Sequence, residues 1–342
     1  MTTCKNSSAA LGDSHGLGQG THWMRRVALI YNPASGQRLE RRAAAIAEVV
    51  AVLSEAGVEV KAIATESPAS AGAQAQEAVR QGFDTILACG GDGTVHEALQ
   101  SLVGGFAALG VIPMGTANAL AADLGLPASP VKAVKMLLTA TPVRVSVGRV
   151  FYRDSESSSR SRYFIVAAGI GADALFMSRL DPKLKQRFGY ALYVVEAFHL
   201  WATYKYPTFA ARFQESGRQA PRVEEVSQIL AVRIGNFGGV VRELAPGAAI
   251  TNRHLHVIAL KTRSRLRYLR FMISVLLRRP EYSGPMELVD CESMECFALE
   301  GSTERLYVEA DGELLGTLPA RIEVVPQTLT VLIPKGIQGR RT

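Results

Sequence analysis

Thr85-Ile86-Leu87-Ala88-Cys89-Gly90-Gly91-Asp92-Gly93-Thr94-Val95-His96-Glu97-Ala98-Leu99 reads as a buried strand, a glycine turn and the opening of a helix. Ile86 to Cys89 is apolar without a break, as in a strand covered on both faces. Gly90, Gly91 and Gly93 permit positive φ and let a ligand reach the main chain with no Cβ in the way. Thr94 is placed to cap the following helix, with Glu97 at capping-box spacing. A helix N-terminus with bare N–H groups attracts phosphate. Asp92 stands on the turn, where a carboxylate can meet a metal or a ligand hydroxyl. Glycine pairs alone are as well explained by a structural βα turn, so the neighbouring loops have to decide.

Val27 to Tyr31 reads as the first strand, and the turn-forming loop Asn32-Pro33-Ala34-Ser35-Gly36-Gln37 follows it. Apolar residues at Leu39, Ile46, Val49, Val50 and Leu53 keep a helical period that ends at Gly57. Val58 to Ala64 is a second strand. Ser67 and Pro68 are placed as N-cap and N1 of a helix ending near Gly82. Beyond the opening stretch, Gly104-Gly105 closes its helix. Leu109 to Ile112 is a fourth strand, leading into Pro113-Met114-Gly115-Thr116-Ala117-Asn118, and Ser129-Pro130 opens a further helix. Strands alternating with helices predict a parallel sheet, whose ligands bind at the carboxyl ends of its strands. The loops at Asn32, Gly90 and Gly115 all fall at that edge, and together they describe a nucleotide site. Thr116 and Asn118 suit a phosphate, a ribose or the cap of their own helix.

From Pro142 the period changes. Val143, Val145 and Val147 alternate with Arg144, Ser146 and Gly148, a strand pattern. The expected division is a leader over 1–24, an α/β domain over 25–141, a β-rich domain over 142–334 whose last segment can pack back on the first domain, and a tail over 335–342. Tyr163 to Ala168 is a strand. Gly169-Ile170-Gly171-Ala172-Asp173-Ala174 after it is a second turn that presents an acid. Arg187 to Tyr206 reads as a helix with Tyr190, Tyr193, Phe198, Trp201 and Tyr204, suited to packing between domains or to lining an acyl chain. Strands follow at Phe209 to Phe213, Gln228 to Ile234 and His254 to Lys261. Arg263, Arg265, Arg267, Arg270, Arg278 and Arg279 surround Leu266, Leu269, Phe271, Met272, Val275 and Leu276. That is a basic amphipathic helix, either packed on a sheet or lying on an anionic membrane. Near the end, Asp311-Gly312-Glu313 joins two strands, by itself a common hairpin turn.

A length of 342 residues suits two domains, and 48% apolar with 20% charged residues is a globular balance rather than a disordered one. The net charge of +7 suits an anionic small molecule, a phospholipid surface or nucleic acid. The lack of a basic run interleaved with aromatics argues against nucleic acid. Cys4, Cys89, Cys291 and Cys296 sit in unlike contexts, so a disulfide framework is not expected and a reducing cytoplasm fits. Met1 to Gly20 lacks the apolar centre of a signal peptide and reads as a disordered leader. No apolar run reaches the roughly 20 residues that cross a bilayer. A homodimer is compatible with all of this.

With the loops in order, the chain resembles the diacylglycerol kinase catalytic family. The residues that carry the resemblance are Asn32-Pro33 with Ser35-Gly36, Gly90-Gly91-Asp92-Gly93-Thr94, Gly115-Thr116-Ala117-Asn118, Ala168 to Ala174, and Ala310-Asp311-Gly312-Glu313. The chain is most similar to the soluble bacterial lipid kinases, relatives of sphingosine kinases and, more distantly, of NAD kinases. The match runs from about Arg26 to Pro334. The resemblance implies an N-terminal α/β domain that binds ATP, a β-rich C-terminal domain that offers the lipid, and an active site in the cleft between them. It implies Asn32, Ser35, Gly90, Gly91, Asp92, Gly93, Thr94, Gly115, Thr116 and Asn118 as nucleotide-binding residues. Asp311 would be the general base with Glu313 beside it, and Asp92 and Asp173 would organise the catalytic Mg²⁺. It also implies an enzyme that is cytoplasmic and peripheral on the inner face of the membrane where its lipid resides.

Two positions depart from the family pattern. Ala119 stands where Asp is frequent after Gly-Thr-x-Asn. Asn252-Arg253-His254-Leu255-His256 replaces an acidic Asp-Gly-x-Leu-Asp stretch that serves a structural Mg²⁺ site, which removes the carboxylates magnesium prefers. His254 and His256 share a strand face, where they would be packed or surface residues or ligands of another metal. Two other functions compete. An NAD kinase shares Gly-Gly-Asp-Gly-Thr, but its Asn-Glu or Asn-Asp dipeptide does not occur in this chain. A non-catalytic lipid- or nucleotide-binding regulator has only the altered Asn252 to His256 segment in its support.

Overall fold

The computed structural model describes residues 23–33, 39–67, 69–179, 198–215, 217–218, 220–239, 243–277, 280, 282 and 284–336. The first half alternates β and α: β1 (Arg26–Tyr31), α1 (Leu39–Glu55), β2 (Glu59–Ala64), α2 (Ser70–Arg80), β3 (Thr85–Gly90), α3 (Asp92–Leu102), β4 (Ala108–Pro113), α4 (Ala119–Asp123) and α5 (Pro130–Leu138). β1 pairs in parallel with β2 and β3, and β3 in parallel with β4. The strand order β2-β1-β3-β4 means that the connections leaving β1 and β3 diverge. A crevice opens there at the carboxyl ends of the strands, the place where such sheets take ligands. Every residue of β3 and β4 is buried, as their unbroken apolar runs require. Met24 is buried in the same core, so ordered chain begins before residue 25.

Two helix starts differ from the local reading. α3 begins at Asp92 with Gly91 as N-cap and no side-chain cap, so Thr94 lies inside the helix. Glu97 does not close a capping box either. Its carboxylate accepts the amides of Ala69 and Ala71 (2.9 and 3.0 Å) and so caps α2. α2 starts at Ser70, and Ala69 takes the N-cap position with φ 66°. Pro68 lies outside the described residues.

The second half is β-rich: β5 (Thr141–Arg153), β6 (Ser159–Phe164), β7 (Ala167–Ile170), α6 (Ala172–Arg179), β8 (Phe209–Glu215), β9 (Arg222–Val226), β10 (Gln228–Val232), β11 (Leu255–Leu260), α7 (Arg265–Leu276), β12 (Met286–Ala298), β13 (Tyr307–Ala310) and β14 (Glu313–Ile333). Its pairings are antiparallel apart from one. β14 pairs with β13, β12 and β5, and at Thr330 and Val331 it runs parallel to β4. This strand of 21 residues therefore joins the two halves of the sheet. Of the aromatic helix expected over Arg187 to Tyr206, only residues 198–206 are described, and 198–203 are helical.

Asp311 and Gly312 form the two-residue hairpin between β13 and β14, both at positive φ (49° and 84°), as a primed turn requires. The turn is structural and also delivers the acids. Glu309 and Asp311 precede Gly312, and Glu313 opens β14.

Candidate functional site

The glycine loops meet at the edge of the parallel sheet. The Met114 amide donates to Gly90 O (2.9 Å). A Cβ on Gly115 would overlap the Cα of Gly91 and crowd Asn118 Oδ1, so glycine at 115 is what lets the two loops touch. The Asn118 side chain closes the Gly115 loop: Gly115 N donates to its Oδ1 (2.9 Å) and its Nδ2 donates to Gly115 O (2.8 Å). The two oxygens of Asp92 accept the amides of Asn118 and Ala119 (2.9 and 2.7 Å). Asp92 thus ties the start of α3 to the start of α4. Gly93, Gly115 and Thr116 are exposed beside this tie. Arg42, buried on α1, donates to Asn32 O (2.7 Å) and Met114 O (3.0 Å) and so binds the first loop to the third. Ser35 lies outside the described residues.

The hairpin tip brings the acids to this edge. Asp311 is not an open carboxylate. Its Oδ1 accepts the amides of Val166 and Ala167 (2.8 and 3.1 Å), and its Oδ2 accepts the amide of Ile165 (3.0 Å) and faces His96 Nδ1 (3.2 Å). Its side chain is 2% exposed, whereas that of Glu313 is 35% exposed. His96 stands between them with Nε2 3.6 Å from Glu313 Oε2. Burial lowers the His96 pKa, but the Asp311 hydrogen bond and the charges of Asp311 and Glu313 outweigh it and leave the imidazole raised. Arg162 Nη2 lies 3.8 Å from Glu313 Oε2. A Cβ built on Gly93 would stand 3.8 Å from Glu313 Oε1, so Glu313 of the C-terminal half faces the Gly90 loop across the space that this glycine leaves open.

Asp173 belongs to a second acid group. A side chain on Gly169 would overlap Asp173 Oδ2 and crowd Glu309 Oε1, which shows how close both carboxyls come to one point. Asp173 Oδ1 accepts its own helix amide from Ala174 (2.9 Å), while Oδ2 is buried without a donor. Burial pushes Asp173 up to about 7. Burial and the charge of Asp173 push Glu309 well above the carboxylate range, although Glu309 Oε2 accepts Gly312 N. Asp92 engages the amides at the start of α4.

The altered segment is held by other means. Arg233, wholly buried, donates to the carbonyls of His254, Ser146, Ile250 and Asn252 (2.6, 3.0, 3.1 and 2.9 Å). The guanidinium supplies positive charge to this backbone, and burial lowers its pKa to about 10. His254 and His256 come together with Asp290, their donor atoms within 4.8 Å of one another. Asn252 Nδ2 donates to Gly247 O (2.8 Å) and lies 2.7 Å from His256 Nε2. That nitrogen must accept, which puts the ring proton on Nδ1, 2.8 Å from Asp290 Oδ1. His256 is therefore a packed residue hydrogen-bonded on both sides, with no lone pair turned toward Asp290.

The sequence profile of the diacylglycerol kinase catalytic domain matches residues 26–150, and that of the YegS C-terminal NAD kinase beta sandwich-like domain matches residues 165–333. Residues 26–150 carry the diacylglycerol kinase catalytic domain. The kinase is 25% identical over 315 residues to a diacylglycerol kinase of Bacillus subtilis (strain 168), covering 91% of this chain and 97% of that one. A crystal structure from Bacillus anthracis str. Sterne, of a protein proposed to be a diacylglycerol kinase, superposes with a TM-score of 0.74 at 20% identity, over 95% of the kinase and all of its own chain. Yeast NADH kinase complexed with NADH superposes with a TM-score of 0.52 at 10% identity, over 93% of the kinase and 86% of that chain. At these identities the last two are likenesses of fold.

His96, Arg162, Glu309 and Arg42 were not singled out from the sequence. Two of them carried a local signal. His96 lies one helical turn beyond Asp92, and Glu309 lies two residues before Asp311, near the end of the strand that leads into its turn. Arg42 and Arg162 had none, because each acts on a partner far along the chain.

Proposed function

We propose that this kinase transfers the γ-phosphoryl group of ATP to a hydroxyl of a membrane lipid such as diacylglycerol, with Mg²⁺. Residues 25–141 would hold the nucleotide, and residues 142–334 would offer the lipid in the cleft between the two parts. The observation that carries the reading is the approach of Glu313 to Gly93, because it sets a reachable carboxylate against a glycine loop suited to phosphates. Phosphoryl transfer depends on positioning and charge neutralisation more than on covalent catalysis. Gly90 to Thr94, Gly115 to Asn118 and Asn32 would form the phosphate and ribose wall, and Asp92 keeps the second and third loops together.

The general base is assigned to Glu313. Asp311, the acid that the family pattern points to, has both oxygens occupied by amides and His96 and is buried. It holds His96 in place, with His96 Nε2 facing Glu313 Oε2 at 3.6 Å. Arg162, 3.8 Å from Glu313, would add positive charge beside a phosphoryl group held there. Asp173 and Glu309 fit a divalent cation: a buried oxygen without a donor, two close carboxyls, and no cationic partner among the described residues. Magnesium takes one or two carboxylates and completes its shell with water and phosphate oxygens. Bound there, it would supply charge neutralisation to the triphosphate.

The reading is tested by incubating the protein with γ-labelled ATP, Mg²⁺ and either diacylglycerol vesicles or NAD. Label in the lipid phase is the expected result. Label in the dinucleotide would transfer the activity to NAD, and label in neither would leave a binding protein.

A further inference from the structure

The inner face of α7 is ordinary: Tyr268, Phe271, Ser274 and Val275 are buried against the core that also holds Val232, Ile258 and Leu260. The outer face is not. Leu266, Ile273 and Leu277, which follows the helix, are 74%, 47% and 69% exposed. They lie seven and four residues apart, a spacing that aligns them along one side of a helix. Met272 and Leu276 widen the line and are also exposed. Five of the ten large apolar side chains exposed among the described residues fall in this one stretch. Arg263, Arg265 and Arg267 are exposed around it. Among the described residues, neither Arg263 nor Arg267 has an acidic partner. Phe198, 67% exposed, stacks on Trp201 at 5.4 Å, and Trp201 Nε1 donates to Arg265 O (2.9 Å), so Phe198 belongs to the same surface.

An apolar line of this kind, with the exposed Arg270 set between Leu266 and Ile273 on the same side of the helix, marks an interaction surface. Its occupant must be apolar at the centre and anionic at the margin, which is the profile of an acidic phospholipid bilayer met by a basic amphipathic helix. We propose that α7 docks the kinase on an anionic bilayer, with Leu266, Ile273 and Leu277 entering the acyl boundary and Arg263, Arg265 and Arg267 meeting headgroup phosphates. The proposal rests on the lipid-kinase reading and deepens it. The core beneath α7 also takes in Ala172, Leu175 and Phe176 of α6, the residues on either side of Asp173. A helix seated on the bilayer is then one packing layer from the acid group of the site.

The test is co-sedimentation of the full chain with phosphatidylcholine vesicles, with and without phosphatidylglycerol. Binding is expected only with the anionic lipid, to weaken with salt, and to fall about fivefold for each of Arg263→Ala and Arg267→Ala. Ile273→Asp with Leu266→Asp should abolish it. The same variants should phosphorylate a short-chain diacylglycerol in free solution at the wild-type rate and lose turnover only on vesicles. Wild-type vesicle binding by the Asp variants would overturn the proposal. So would indifference of the wild type to vesicles together with a dimer that Ile273→Asp dissolves, since the face would then belong to a second copy. Vesicle binding through α7 without phosphorylation of lipid in any form would remove the lipid-kinase reading and leave the docking surface standing.

Discussion

Replacing Asp173 with Asn should make the metal-free protein more stable at pH 8 and flatten its stability profile between about pH 4 and pH 7. An unfolded aspartate titrates near 3.9, whereas burial lifts the native group to about 7. Between those values the native state holds a proton that the unfolded state has lost, so stability falls as pH rises and levels off above the native value. Three units at 1.36 kcal/mol each give about 4 kcal/mol as the limit for an independent group. Glu309 is raised beside it and shares the repulsion, so a range of about 2–4 kcal/mol is expected for Asp173 alone. An amide at 173 carries no charge into this site and can donate to Glu309 Oε1, while its oxygen can still accept Ala174 N. The slope remaining in the variant belongs to Glu309. The assay is urea unfolding in EDTA at half-unit pH steps, repeated with Mg²⁺. The wild type should gain stability from Mg²⁺ above pH 7, and Asp173→Asn should lose most of that gain together with activity. A variant with the wild-type pH slope, or with an unchanged response to Mg²⁺, would refute the reasoning.

Three further changes have distinct signatures. Glu313→Gln should lower kcat by about 10²–10⁴-fold with little change in stability, as for a positioned base. Asp311→Asn should also cost about 2–4 kcal/mol in denaturant melts, because its new amide nitrogen would face either the N–H groups of Val166 and Ala167 or that of Ile165 together with His96; an inactive Glu313→Gln beside a fully active and stable Asp311→Asn would support the assignment of the base and remove the positioning role of Asp311. Gly115→Ala drives a Cβ into Gly91 and should raise the KM for ATP at least about tenfold, given the sensitivity of rate to small misplacement, while a short-chain lipid KM stays unchanged. Arg233→Met removes the donor to four carbonyls, two of them in fully buried hydrogen bonds, and should destabilise the chain by about 3–5 kcal/mol, read as a lowered midpoint in urea.

The strand–turn–helix at Thr85 to Leu99, the parallel sheet, the three loops at its edge and the Asp311-Gly312 turn were legible in the sequence. Each is set by local chemistry: an unbroken apolar run, glycine at a turn, a side-chain period of two or 3.6 residues. Membership of the kinase family could be read for the same reason, since its motifs are short and lie on those turns. What the tertiary structure decided depends on partners far apart in the chain. Local spacing made Glu97 the second half of a capping box, but its partners are the amides of α2. It made the basic helix one apolar face, but packing splits that set into Phe271 and Val275 inside and Leu266 and Leu276 outside. It offered Asp311 as an open carboxylate. Only the fold encloses it with the amides of Ile165, Val166 and Ala167 and with a histidine 215 residues earlier. Local sequence sets where the backbone turns; which carboxylate keeps a free oxygen is decided by desolvation and by hydrogen bonds from distant strands, and these exist only once the two halves of the sheet are joined.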